Sequence, residues 1–152
     1  MRAVVFVAVV GCGGKAADSA GSHDHHGDHA ASCGDDGVAV TPGLEVACAS
    51  GDCTVEVVST SPAPPDRGDN IWTFRVRDVD GAVLAVDHFT VSPFMPAHDH
   101  GTVPADFAGS PSADTWEVGP FDLFMPGLWE LRLSMSADSV DHTAVIAFCV
   151  EG

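Results

Sequence analysis

The chain has 152 residues, 45% of them hydrophobic, which suits one domain with a real core plus a tail. Its 22 Asp and Glu against 6 Lys and Arg give a formal net charge of −16, and the pI is near 4.4. Such a surface repels phosphate backbones, which excludes nucleic acid as a partner and suits cations instead.

The amino terminus reads as an address. Met1-Arg2 is a minimal positive region, and Ala3 to Val10 is an apolar run far shorter than the roughly 20 residues that span a bilayer. Gly11-Cys12 follows, a small residue before a cysteine, which resembles a bacterial lipobox. The expectation is a lipoprotein signal over residues 1–11 and a lipid anchor on Cys12, holding the chain in the cell envelope outside the cytoplasm, facing the periplasm or on the outer membrane. Residues 12–42 are mostly Gly, Ala, Ser, Asp and His, too few of them large and apolar to offset ordering entropy, and read as a disordered tether. Within it, His23, His25, His26 and His29 stand among Asp24 and Asp28, a density that can chelate a divalent ion even in a flexible chain.

With Cys12 used for lipid, Cys33, Cys48, Cys53 and Cys149 remain, an even set for an exported protein. Cys48 and Cys53 flank the turn-like Ala-Ser-Gly-Asp and suggest a local clip, leaving Cys33 to reach Cys149; the alternative joins Cys48 or Cys53 to Cys149 across the core. A zinc site from these cysteines is disfavoured because no CxxC spacing occurs.

From about residue 43 to residue 152 the pattern has period two, and this is the expected folded domain. Cys53 to Val57 alternates, and a proline-rich connection at Ser61–Asp69 follows. Trp72, Phe74 and Val76 face one way, Thr73, Arg75 and Arg77 the other. Asp78-Val-Asp-Gly81 signals a hairpin turn, and Ala82 to Val91 is the next predicted strand. Asp114 to Leu123 is another. Trp129, Leu131, Leu133 and Met135 alternate with polar residues, and Asp141 to Val150 closes the chain as an apolar, central strand. About seven strands with no helix predict an all-β, immunoglobulin-like antiparallel sandwich.

Chemistry concentrates in two segments. Pro93 to Gly101 (PFMPAHDHG) holds Met95, His98, Asp99 and His100, and Phe124-Met125-Pro126 repeats the Phe-Met-Pro triplet. Copper(I) accepts thioether and imidazole, and copper(II) accepts imidazole and carboxylate oxygen. In an extended segment His98 and His100 project to one side. Each methionine precedes a proline, which holds it extended. Met95, His98, His100 and Met125 therefore form a candidate metal set, with Asp99 and His88 as outer members. The same triplets can instead plug the space between sheets, leaving the histidines as solvated loop residues. No catalytic set stands out. Asp141-His142 near Ser139 lacks a nucleophile elbow, and no phosphate-cradling loop is present, so no enzyme activity is expected.

The stretch from Val57-Val-Ser-Thr-Ser-Pro-Ala-Pro-Pro65 into Gly68-Asp-Asn-Ile-Trp72, then Asp78–Gly81, Met95-Pro-Ala-His98 and Met125-Pro-Gly-Leu-Trp129, resembles a YtkA-like domain, related in style to FixH-type proteins and to periplasmic copper carriers. The resemblance covers about two-thirds of the chain, and the paired Met-Pro segments are its most specific part. It implies an exported or membrane-anchored module near a membrane oxidase or copper-handling protein, with Met95, His98 and Met125 as ligands and His100 as an addition. Copper is the implied ion, zinc the second choice. Here His-Asp-His follows Met-Pro, where the family pattern often has a second Met and a Gly-His. The other expectation for the same chain is a metal-free accessory lipoprotein docking on a membrane complex.

Overall fold

The computed structural model describes Cys33 and residues 36–152; the expected signal, Cys12 and the histidines of the tether lie outside the described residues. Among the described residues ten strands follow in chain order: β1 (Leu44–Ala47), β2 (Cys53–Ser61), β3 (Gly68–Asp78), β4 (His88–Met95), β5 (His100–Gly101), β6 (Phe107–Ala108), β7 (Ser110–Ser112), β8 (Thr115–Leu123), β9 (Gly127–Ala137) and β10 (Val140–Val150). One sheet runs β1-β2-β3-β8-β7 and the other β10-β9-β4-β5, with β6 also paired to β4; all pairings are antiparallel. The cores of these sheets, β2-β3-β8-β7 facing β10-β9-β4, follow the ABED and CFG strand sets of the immunoglobulin sandwich. β1 extends the first sheet at its edge.

Strand phase decides what enters the core. Trp72, Phe74 and Val76 point inward from β3, and Trp129, Leu131, Leu133 and Met135 point inward from β9, as the alternation predicts. The sheets meet through aromatic rings. Trp72 of β3 lies 5.2 Å from Phe148 of β10, and Phe74 of β3 stacks 5.2 Å from Phe89 of β4, centroid to centroid. Such pairs contribute about 0.5–1.5 kcal/mol each beyond their buried area. On the outer face of the first sheet, Arg75 and Arg77 share Glu56, and Arg75 also reaches Asp114.

Three features differ from the sequence expectation. β5, β6 and β7 add to the seven expected strands; they lie between Met95 and Thr115, where Pro, Gly, Ser and Asp leave no period-two signal. The strand expected over Ala82–Val91 begins at His88 and runs to Met95. The Asp78–Gly81 turn does form, with Asp78 Oδ1 accepting from the amides of Asp80 and Ala82, each at 2.9 Å, but the chain after it makes only a single bridge, Arg77 to Val83. β10, expected to be central, is an edge strand. Its apolar run is buried on one face only, and Val145 on the other is 48% exposed. Its free edge is partly covered by the incoming chain, since the Val38 amide donates to the Ala147 carbonyl at 2.8 Å.

Both disulfides of the preferred pairing form. Cys48–Cys53 closes a turn, and Cys33–Cys149 ties the amino-terminal segment to the end of β10 across a sequence separation of 116. The chain is thus fastened to the sandwich ten residues before the expected domain boundary at residue 43. A cross-link restricts the unfolded chain in proportion to the logarithm of the loop it closes. Replacing Cys33 and Cys149 by Ser should therefore cost about 5 kcal/mol, and replacing Cys48 and Cys53 about 2 kcal/mol. Chemical denaturation of the two double variants checks this; an equal loss from both would contradict it.

Candidate metal centre

Pro96 converts the end of β4 into a turn. Met95 is extended (φ −106°, ψ 104°), as a residue before proline must be, and Pro96–His98 then form one turn of 3₁₀ helix. Asp99 closes it in the left-handed region (φ 52°), and its amide donates to the Pro96 carbonyl at 3.4 Å. The reversal sends His100 and Gly101 back along β4, with His100 opposite Met95. Gly101 has to be glycine here, because a Cβ would stand 2.4 Å from the Pro93 carbonyl oxygen. The His98–Asp99–His100 segment is therefore not extended, yet the turn still brings the two imidazoles together, with ring centroids 5.6 Å apart.

The second loop lies against the first. Phe124 stacks on His100 at 5.6 Å and meets Trp129 edge-on at 5.6 Å. The Trp129 indole N–H donates to the Met125 carbonyl at 2.9 Å, which pins the loop to β9. The Arg67 guanidinium also donates to the Phe124 carbonyl, at 3.4 Å. The Met125 side chain is half-buried against the rim of the core. Both Phe-Met-Pro loops thus share one tip of the sandwich.

Met95 does not reach that surface. It holds the inward phase of β4 with Phe89 and Val91, is 1% exposed, and belongs to the core. His98 is exposed and His100 half-buried at that surface, and Met125 is half-buried in the adjoining loop. Asp99 is exposed between the two histidines. His88 is displaced much further: it starts β4, opposite Ser136, whereas Met95 ends the strand. At roughly 3.4 Å per residue the two are about 24 Å apart, so His88 belongs to the other pole.

Two imidazoles on one ion, each at about 2.0 Å through nitrogen, hold their ring centres about 3 Å from it and at most about 6 Å from each other. The 5.6 Å between His98 and His100 falls within that reach. The tip therefore offers two borderline nitrogen donors, an aromatic wall and open solvent, beside the loop that carries Met125.

A second cluster, not anticipated from the sequence, lies at the opposite pole. His142, paired with Met135 near the far end of β9, is 6% exposed, and its Nδ1 donates to Asp52 Oδ1 at 3.1 Å. The partner is thus Asp52 and not the neighbouring Asp141. Ser50 Oγ donates to the same carboxylate oxygen. The Ser50 hydroxyl first, and the charge of His142 after it, hold the Asp52 carboxyl below its ordinary value of 3.8. One ligand atom each from Asp52, Cys53 and His142 falls within 4.8 Å of the others, but in the disulfide the Cys53 sulfur is not a thiolate and does not serve as a ligand. No local signal marks the pair, since Asp52 and His142 are 90 positions apart.

Comparison with protein-family models, curated proteins and solved structures finds no match to this chain.

A carboxylate whose folded-state pKa is lowered stabilises the fold above its unfolded pKa and loses that contribution as pH falls through the folded value. Asp52→Asn should therefore flatten the fall in melting temperature below pH 3.8 relative to the parent chain, as read by thermal melts across the acid range. An unchanged acid limb would show that the Ser50–Asp52–His142 contacts do not persist in solution.

Proposed function

We propose that the protein is an exported, membrane-anchored metal-binding module that captures or delivers copper at the shared tip, with zinc as the second ion. His98 and His100 supply imidazole and Met125 supplies thioether; Met95 serves as core. The observation that carries this reading is the convergence of the two imidazoles, 5.6 Å apart, beside the loop that bears Met125. Nitrogen with sulfur suits copper in either oxidation state, whereas nitrogen with carboxylate from Asp99 favours copper(II) or zinc. The site is open and incompletely coordinated, which suits transfer of an ion more than permanent storage.

The tether supports the same reading through its attachment. Cys149, bridged to Cys33, is the register partner of Leu128, three residues beyond Met125. His29 precedes Cys33 by four residues, so the chain allows it to reach about 13 Å from that bridge. Histidines of the tether can thus collect an ion and deliver it to the tip. In this reading Cys12 carries the lipid, and the recipient is a membrane oxidase or another copper-handling protein. A second reading, a metal-free accessory lipoprotein, is favoured by the burial of Met95, which makes the first Phe-Met-Pro triplet a packing element.

Copper titration of the full chain with His23, His25, His26 and His29 changed to Ala separates the two. One equivalent of tightly bound copper is expected. His98→Ala with His100→Ala should abolish stoichiometric binding. Met125→Leu should weaken copper(I) by at least about tenfold, and Met95→Leu should leave it unchanged and cost less than about 1.5 kcal/mol in stability. Absence of stoichiometric binding, or binding indifferent to the histidine pair, would leave the accessory reading standing.

A further inference from the structure

The pole opposite the tip carries its own donor set, and the disulfide is what closes it. Cys48 and Cys53 are 3% and 2% exposed, with Cα atoms 5.2 Å apart. His142 and Asp52 stand beside them, with one donor each within 4.8 Å of Cys53 Sγ and of each other. The four intervening positions, Ala49 to Asp52, are exposed on the turn. Cys48 and Cys53 lack the CxxC spacing whose absence spoke against zinc in the sequence, but Cys-x₄-Cys is the wide end of the spacing that pairs of zinc-binding cysteines use.

The turn does not depend on the sulfur–sulfur bond for its shape. The Cys48 amide donates to the Cys53 carbonyl at 2.8 Å, and the Gly51 amide donates to the Cys48 carbonyl at 2.9 Å, with Gly51 in the left-handed region (φ 77°). The Ala49 amide donates to the Thr143 carbonyl at 2.7 Å, which docks the turn onto β10 beside His142. These bonds hold the turn, and with it the Cys53 sulfur, beside the imidazole without the sulfur–sulfur bond, and Cys48 lies across the turn from Cys53. Two thiolates bound to one tetrahedral ion at about 2.3 Å sit about 3.8 Å apart, a small separation from the bonded state.

We propose that reduction of Cys48–Cys53 opens a zinc site made of Cys48, Cys53, His142 and Asp52. A dithiol reductant supplies two electrons and two protons. The Cys48–Cys53 sulfur–sulfur bond breaks, one forms in the reductant, and the two protons pass to the freed thiols. A divalent zinc ion then binds both sulfurs as thiolates, and those two protons leave to solvent. Two thiolates, one imidazole and one carboxylate complete a tetrahedron, a set that suits zinc. The oxidised chain has no thiolate here and does not bind. The site is thus gated by redox state and is independent of the tip described above.

Cobalt(II) titration tests this, because a thiolate-to-cobalt charge-transfer band arises only when sulfur is bound, which sets this site apart from the histidines of the tip and tether. The full chain carrying Cys12→Ser, Cys33→Ser and Cys149→Ser, kept reduced with a phosphine at a temperature where its buried tryptophan emission shows it folded before metal is added, should develop the band at one equivalent and lose it to added zinc. The same chain with its remaining disulfide intact should give no band. His142→Gln in the reduced chain should lower cobalt affinity by at least about tenfold, while His98→Ala with His100→Ala should leave it unchanged. Buried tryptophan emission should persist throughout. No band on reduction, a band indifferent to His142→Gln, or a band that comes only with loss of that emission would each overturn the proposal.

Discussion

The contact on which the molecule depends is the aromatic seam between the sheets. Trp72 against Phe148 and Phe74 against Phe89 join β3 of one sheet to β10 and β4 of the other. Once these rings are inside, strand alternation leaves no freedom. Every second residue of β4 follows Phe89 inward, so Met95 is core and Phe94 lies outside under the Arg132 guanidinium, 3.7 Å above its ring. The seam also tolerates one imperfection. The Trp72 indole N–H is buried with no partner among the described residues, a cost of about 1–3 kcal/mol that the indole's own burial offsets.

This explains which parts of the molecule were legible in the sequence. Long alternating segments such as Ile71–Arg77 and Trp129–Met135 fixed both element and face, because only one phase buries their large residues. Ala82–Val91 misled because Val83, Leu84 and Val86 look strand-like, yet Leu84 and Val86 are only partly buried and Val83 is 46% exposed. β10 looked central because both its faces carry apolar residues, and hydrophobicity alone does not distinguish an edge strand whose outer side stays wet. The cysteine pairing was readable from the Ala-Ser-Gly-Asp turn, a local signal.

The candidate site was legible in a different measure. The Met-Pro repeat pointed correctly to two loops at one tip, and the proline rule gave the backbone of Met95. It did not give the side-chain direction, which follows from strand phase and therefore from where β4 starts. Phe124 and Trp129, which form the wall behind His100, read only as core residues in the sequence. The Asp52–His142 pair was out of reach, because sheet topology and not spacing brings those two residues together. The result is a sandwich with nitrogen and sulfur at one pole, and sulfur, imidazole and carboxylate at the other, on a surface whose excess of acids attracts cations to both.

The Cys33–Cys149 bridge also sets how the domain bears load. A pull on the amino-terminal segment is delivered through the covalent bridge to the last strand, bypassing β1, which has only four paired residues with β2. β10 is zipped to β9 along eleven register pairs, from Val140–Ala137 to Val150–Gly127. The chain therefore hangs from its longest ladder, eleven pairs, instead of from the four-pair ladder of β1 with β2.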